Sequence, residues 1–158
     1  MTELFAYPVV TMIVEERATP PRILLQKRIK EEPETLALLW ELPQGRLRQG
    51  ESLTECTSRE LKEETGLEFI SWNQEIRKSS IGGESLECVR ATSVIETGRH
   101  SYLAICVICS AEGTLRPSSE SCNPQWFSRD QVLQLISSAS VFPLNVPMLL
   151  AYFGCRER

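Results

Sequence analysis

Short apolar runs separated by polar or proline-containing segments recur along the chain, and this pattern predicts β-strands. Residues 9–14 are rich in β-branched side chains, and residues 23–26 follow them across a turn at Thr19-Pro20-Pro21. Two such runs joined by a short turn predict a β-hairpin. Further strands are predicted at residues 40–42, from residue 69, at residues 87–95 and at residues 102–109.

The strongest helical signal lies just after residue 50. Ser52 and Glu55 have the spacing of a capping box, in which each side chain accepts a hydrogen bond from the other residue's backbone N–H. Gly66 stands where a helix C-cap favours the left-handed conformation. The pattern therefore predicts a helix over Leu53–Thr65.

Two more helices are predicted in the last third of the chain. Ser128 can cap a helix that follows a strand, and Asn145 can cap a final helix. Pro147 would lie in the first turn of that final helix and Gly154 at its end. Strands flanked by helices, with no repeat or linker, predict one α/β domain over all 158 residues.

Composition narrows the class of protein. With 158 residues and 42 % hydrophobic content, the chain is long enough for a full-sized core. Its formal net charge of −4 argues against a basic surface for extended nucleic acid. No apolar run approaches the ~18 residues of a membrane span, and the start lacks a signal region. We therefore expect a cytoplasmic protein that does not bind a membrane.

Six cysteines at irregular spacing raise the question of disulfides or zinc. Cys106 and Cys109 form a CxxC pair, but they lie within the predicted strand at residues 102–109. Positions three apart in a strand face opposite sides of a sheet, so these thiols cannot converge on one metal. We expect reduced cysteines in the core.

Three acidic residues share one face of the predicted helix. Glu60, Glu63 and Glu64 are related by steps of three and four residues, which brings their carboxylates together. Arg59 precedes Glu63 by four residues and is suited to a bidentate grip on one carboxylate. The simpler interpretation is a solvated acidic surface with ion pairs to Arg59 and Lys62.

Two features favour a metal site over a solvated surface. The acids lie toward the C-terminal half of the helix, where the helix dipole disfavours negative charge. Carboxylates about 5 Å apart repel each other by roughly 3 kcal/mol per pair at an effective dielectric constant of about 20. A divalent cation removes that repulsion, and oxygen ligands suit Mg²⁺, Mn²⁺ or Ca²⁺.

The segment around this helix resembles the Nudix box, because every fixed position of that signature is present between residues 45 and 67. The similarity extends over roughly residues 9–136, although only the box is specific. It implies a Nudix-type α/β/α sandwich with a mixed sheet, and Mg²⁺-dependent hydrolysis of a nucleoside diphosphate linked to another moiety. The fixed positions are Gly45, Glu51, Arg59, Glu60, Glu63, Glu64 and Gly66.

The resemblance implies a role for each box residue. Glu60, Glu63 and Glu64 are expected to bind Mg²⁺ or Mn²⁺, one of them also deprotonating the attacking water. Arg59 is expected to orient a glutamate, and Glu51 to lie near the ions. The supporting residues are Gly45 and Gly66, and the backbone carbonyl of Gln44 is expected to be a further metal ligand.

Residues outside the box add candidates for the site. Arg28 follows a predicted strand and could contact substrate phosphates, although a solvated basic loop is the simpler interpretation. Relatives often use a glutamate outside the box as a base or extra ligand, for which Glu96 and Glu120 are candidates. His100, the single histidine, is expected to be a surface turn residue.

The expected partner is a small nucleotide: a nucleoside triphosphate, an ADP-sugar or a dinucleoside polyphosphate. Trp40-Glu41-Leu42-Pro43 favours the ADP-ribose group of relatives, whereas Pro43-Gln44-Gly45 favours dinucleoside-polyphosphate relatives.

The alternative function is a Nudix-like module that binds a nucleotide without hydrolysing it, but such members commonly lose box acids and none is lost here. Relatives occur as monomers and as homodimers.

Overall fold

The structure is a computed structural model that describes residues 5–29, 38–74, 76–78, 84–86, 92–97 and 100–154. The described residues form ten strands, three α-helices and one 3₁₀-helix at Pro143–Asn145. The strands are β1 (Tyr7–Glu15), β2 (Ile23–Arg28), β3 (Trp40–Glu41), β4 (Gln44–Arg46), β5 (Glu68–Trp72), β6 (Ile76–Lys78), β7 (Glu84–Leu86), β8 (Thr92–Thr97), β9 (His100–Glu112) and β10 (Ser121–Phe127). The helices are α1 (Leu53–Thr65), α2 (Arg129–Ser137) and α3 (Val146–Tyr152).

Eight of these strands form one mixed sheet. Its main order is β10-β2-β1-β9-β5, with β3 beside β2, β4 beside β1 and β8 beside β9. β1 and β9 run parallel, from Tyr7 opposite Tyr102 to Glu15 opposite Ser110, whereas the other pairs in the sheet are antiparallel. β6 and β7 pair separately.

Helices cover both faces of this sheet. Successive side chains of a strand point to opposite faces, and accordingly Val9 and Val10 belong to two different core clusters. The cluster of Val9 includes Met148 of α3 and Val132 of α2. The cluster of Val10 includes Leu61 of α1. The predicted α/β/α sandwich with a mixed sheet is confirmed.

The local signals around α1 are confirmed in detail. The Oγ of Ser52 accepts from the Glu55 N–H at 3.1 Å, and Glu55 accepts from the Ser52 N–H at 2.8 Å. Gly66 is left-handed, with φ of 78°, and its N–H donates to the carbonyl of Lys62 at 3.2 Å. Short-range hydrogen bonds therefore fix both ends of the helix that carries the predicted metal ligands.

The CxxC pair is also as predicted. Cys106 and Cys109 are both fully buried, reduced thiols, and they belong to the clusters on opposite faces of the sheet. Their thiols therefore cannot share a metal ion.

The predicted capping role of Asn145 is wrong. Its backbone is already helical, with φ of −86° and ψ of −17°, because the 3₁₀-helix runs directly into α3. A capping side chain needs an extended N-cap residue, so Asn145 makes no capping bond. Its Oδ1 accepts instead from the backbone N–H of Leu42 at 2.9 Å, which ties the start of α3 to the segment before the box.

Some predictions fall partly outside the described residues. The strand predicted at residues 87–95 overlaps β8, but residues 87–91 are not described. The sequence also predicts turns at Gly82-Gly83 and across Thr97-Gly98-Arg99, of which only Thr97, the last residue of β8, is described. Within the described part of the chain, no helix has both the length and the apolar character needed to cross a membrane.

Candidate active site

A cavity of about 590 Å³ lies beside α1 and gathers most of the predicted site residues. It is bounded by the glutamates of α1, by β4 and Arg48, and by the loop before β10. Because these segments are far apart in the chain, only the folded sheet brings them together. The lining residues are Gln44, Gly45, Arg46, Arg48, Glu60, Glu63, Glu64, Ser118, Ser119 and Glu120.

Glu64 is the most buried of the three α1 glutamates that line the cavity, with 8 % of the residue exposed. Its Oε2 accepts from the backbone N–H of Gln44 at 3.1 Å and from the Nε2 of Gln26 at 3.0 Å. Burial raises the pKa of Glu64 to about 8, although both hydrogen bonds act in the opposite direction. Burial therefore disfavours the ionised form of this carboxyl group unless a positive charge lies nearby.

Glu60 approaches β4 closely because residue 45 is glycine. A Cβ at Gly45 would lie 1.9 Å from the Cδ of Glu60, so any larger residue would displace this carboxylate. Burial raises the pKa of Glu60, and a hydrogen bond of 2.5 Å from the Nη1 of Arg59 acts against that rise. Glu63 is more exposed, and it lies 3.5 Å from the same nitrogen.

Arg59 is held by Glu51 rather than by Glu63. Its Nε and Nη2 donate to the two carboxylate oxygens of Glu51 at 2.6 and 2.9 Å, and Nη2 also donates to the carbonyl of Arg46 at 3.1 Å. This pair lowers the pKa of Glu51 to about 2 and raises that of Arg59. Arg59 is thus fixed at one end while its Nη1 contacts Glu60.

Arg28 and Glu120 lie in different surroundings. Arg28 is not among the cavity-lining residues: its Nη1 donates to Glu41 at 3.2 Å, and its guanidinium lies 4.8 Å from the Phe142 ring centroid. Glu120 does line the cavity, on a loop in which its N–H donates to the Oγ of Ser118 at 3.2 Å. The side chains of Glu96 and His100 are outside the described set.

The residues of the cavity fit a hard divalent cation by their chemistry. Among the described residues, no three acidic, histidine or cysteine side chains are already spaced to hold a metal ion. However, three carboxylates line one cavity, and burial raises the pKa of both Glu60 and Glu64. Oxygen ligands suit Mg²⁺ or Mn²⁺, and a cation would relieve the burial of their negative charge.

Some residues of the site carry no recognisable signal in the sequence. Arg46, Arg48, Ser118 and Ser119 line the cavity, although none has a spacing that signals a role. Gln26 could have been found from the sequence, because it directly follows the apolar residues of β2 and shares a face of the strand with the buried Leu24. A polar residue at a core position indicates a specific buried partner, which is Glu64.

Comparison with known proteins identifies the architecture. A family model described as the NUDIX domain matches residues 6–144. No curated protein matches the chain. The solved structure of the E. coli ORF135 protein is 24 % identical, with a TM-score of 0.67 over 96 % of this chain and 91 % of that one.

Two further solved structures share the fold at lower identity. The MutT protein from Methanosarcina mazei Go1 is 19 % identical, with a TM-score of 0.70 over 98 % of this chain and 97 % of that one. The NUDIX domain of Shewanella oneidensis NrtR, complexed with ADP ribose, is 16 % identical, with a TM-score of 0.68 over 96 % and 89 %. At these identities the neighbours establish the fold alone.

Proposed function

The chain belongs to the Nudix family, and we propose that it is a divalent-cation-dependent hydrolase that cleaves the pyrophosphate bond of a nucleoside diphosphate linked to another moiety. Members of this family hydrolyse pyrophosphate bonds, generally with divalent metals. The observation that carries the proposal for this chain is that Glu60, Glu63 and Glu64 line one cavity, with all fixed box acids intact.

The chain's own residues have distinct tasks in this proposal. The carboxylates of Glu60, Glu63 and Glu64, with the carbonyl of Gln44, would hold Mg²⁺ or Mn²⁺. Arg59, anchored on Glu51, keeps the carboxylate of Glu60 in place through its Nη1. The bound cations would neutralise phosphate charge and lower the pKa of an attacking water.

Charged residues of the cavity lining suggest how the substrate binds. Arg48 adds positive charge near Glu60, where phosphates would bind, whereas the guanidinium of Arg46 donates to the hydroxyl of Tyr102. Glu120 supplies a further carboxylate from the loop before β10, as a base or an extra ligand. The moiety beyond the diphosphate is left open as a phosphate, a sugar or a second nucleoside. The NrtR neighbour complexed with ADP ribose favours including ADP-sugars among the substrates tested.

A matched pair of variants tests the proposal. Glu64→Gln removes a proposed ligand, whereas Glu68→Gln makes the same chemical change at an exposed residue of β5. Each protein is incubated with nucleoside triphosphates, ADP-sugars and dinucleoside polyphosphates under Mg²⁺ or Mn²⁺, and products are identified by mass spectrometry. We expect kcat to fall on the order of 100-fold or more in Glu64→Gln and to be unchanged in Glu68→Gln.

The same experiment distinguishes a hydrolase from the alternative function, a module that binds a nucleotide without hydrolysing it. A nucleotide-binding module would bind a member of the panel saturably and release no product. If Glu64→Gln cleaved its substrate as fast as the parent, the assignment of the metal site would be wrong.

A further inference from the structure

A buried amide lies directly behind the proposed metal site. Gln26 of β2 is 1 % exposed, and its Nε2 donates to the Oε2 of Glu64 at 3.0 Å across 38 residues of sequence. Its Oε1 is also buried, but finds no hydrogen-bond partner among the described residues. Buried polar atoms in proteins are nearly always paired, so this amide needs an explanation.

Packing alone does not explain a glutamine at this position. The preceding residues of β2, Leu24 and Leu25, are fully buried and apolar. A methionine has nearly the volume and flexibility of glutamine, and it would fill the same space without burying an unpaired carbonyl. For stability alone, an apolar side chain would therefore be at least as good.

The hydrogen bond to Glu64 gives the amide a specific effect. The Gln26 amide and the Gln44 backbone N–H both donate to the same oxygen, Oε2 of Glu64. They come from two different strands, so together they fix the position of the carboxylate. No described group donates to the other oxygen, Oε1, which leaves it for a ligand in the cavity.

We propose that Gln26 is a positioning residue of the metal site, whose amide determines which oxygen of Glu64 is presented to the cation. This inference rests on the proposed function, because it needs Glu64 to be a metal ligand. Partners of metal ligands often affect metal affinity by roughly 10–100-fold, although they do not touch the ion.

Gln26→Met separates positioning from packing. We expect Mn²⁺ affinity, measured by electron paramagnetic resonance, to weaken roughly 10-fold or more. We also expect kcat to fall with little change in KM, while Tm stays equal or rises. Gln26→Leu removes the same donor and should give the same result.

Thr57→Val is the matched control. Thr57 lies on α1, is fully buried, and its Oγ1 also has no hydrogen-bond partner among the described residues. It does not line the cavity, so its replacement should leave Mn²⁺ affinity and kcat unchanged. The comparison therefore isolates the bond to Glu64 from the general effect of removing a buried polar atom.

Three results would overturn the inference. If Gln26→Met and Gln26→Leu bound Mn²⁺ and turned over like the parent while Glu64→Gln lost both, Gln26 would have no positioning role and the proposed function would stand. A lower Tm with unchanged Mn²⁺ affinity would likewise show a purely structural role. If the parent itself neither bound Mn²⁺ nor hydrolysed any substrate, the proposed function would fail first, and this inference with it.

Discussion

On the face of the sheet covered by α2 and α3, the core cluster around Met148 is apolar, and buried polar side chains such as Thr11 and Asn145 are neutral. The face beneath α1 has an apolar cluster of similar size, but it also buries the amide of Gln26 and the carboxylate of Glu64. The same strands contribute to both faces, because the side chains of successive residues in a strand point to opposite faces of the sheet. One face can therefore supply stability while the other carries a carboxylate, which is the most costly of these groups to bury.

Because the two faces differ, we expect substitutions on each face of the sheet to have different effects. Removing apolar volume beneath α2 and α3 should weaken folding without touching the site. Changing the polar groups beneath α1 should alter metal binding or pH dependence more than folding. Natural active sites commonly sacrifice stability for function in this way.

The largest expected effect on stability comes from the apolar face. Met148 of α3 is fully buried, so Met148→Ala should lower the free energy of unfolding by about 2–5 kcal/mol through lost contacts and a cavity. Urea denaturation measures this change. Mn²⁺ affinity and kcat per folded molecule should equal those of the parent, and a fall in either would show that the two faces are coupled.

The sequence predicted the features that depend on nearby residues. The ends of α1 follow from Ser52, Glu55 and Gly66, all within one turn of the helix termini. The opposite orientations of Cys106 and Cys109 follow from strand alternation alone. These predictions needed no knowledge of which strands are neighbours.

Hydrogen bonds between residues distant in sequence were not predicted. The side chain of Asn145 binds the backbone of Leu42, 103 residues away, and Gln26 binds Glu64 across 38 residues. The short strand β4 was also missed, because Gln44–Arg46 has no apolar alternation and forms by pairing with β1. Only the sheet order brings these partners together, and it cannot be derived from local patterns.

The next prediction concerns pH in metal-free protein. Burial raises the pKa of Glu64 to about 8, above its ordinary value of 4.5, and raises that of Glu60 as well. Between those values the folded state binds more protons than the unfolded state, so stability falls as pH rises. With the metal chelated, Glu64 alone should lower the free energy of unfolding by on the order of 1 kcal/mol per pH unit between about pH 5 and about pH 7, and Glu60 should add to that slope.

Glu64→Gln is the control for this slope, because a neutral amide cannot titrate. Its slope should be clearly shallower than that of the parent, with the remainder due to Glu60. Glu51 has a lowered pKa of about 2, so its stabilising contribution is lost only at pH values below about 4.5. A parent whose stability is flat from about pH 5 to about pH 7 would contradict the burial of an acid at this site.

The smallest effects should come from the helix caps, and they still distinguish the two faces. The Oγ of Ser52 caps α1 at 3.1 Å from the Glu55 N–H, and the Oγ of Ser128 caps α2 at 3.3 Å from the Gln131 N–H. Ser52→Ala and Ser128→Ala should each cost about 1 kcal/mol in urea denaturation.

Their effects on catalysis should differ, because only Ser52 adjoins the Arg59 anchor, Glu51. Fraying the first turn of α1 loosens the ion pair of Glu51 with Arg59, and through it the position of Glu60. Ser52→Ala should therefore lower kcat, by less than about tenfold, since about 1 kcal/mol is available. Ser128→Ala should leave kcat unchanged because α2 packs on the other face of the sheet, and equal losses in both variants would mean that the site depends on general stability instead.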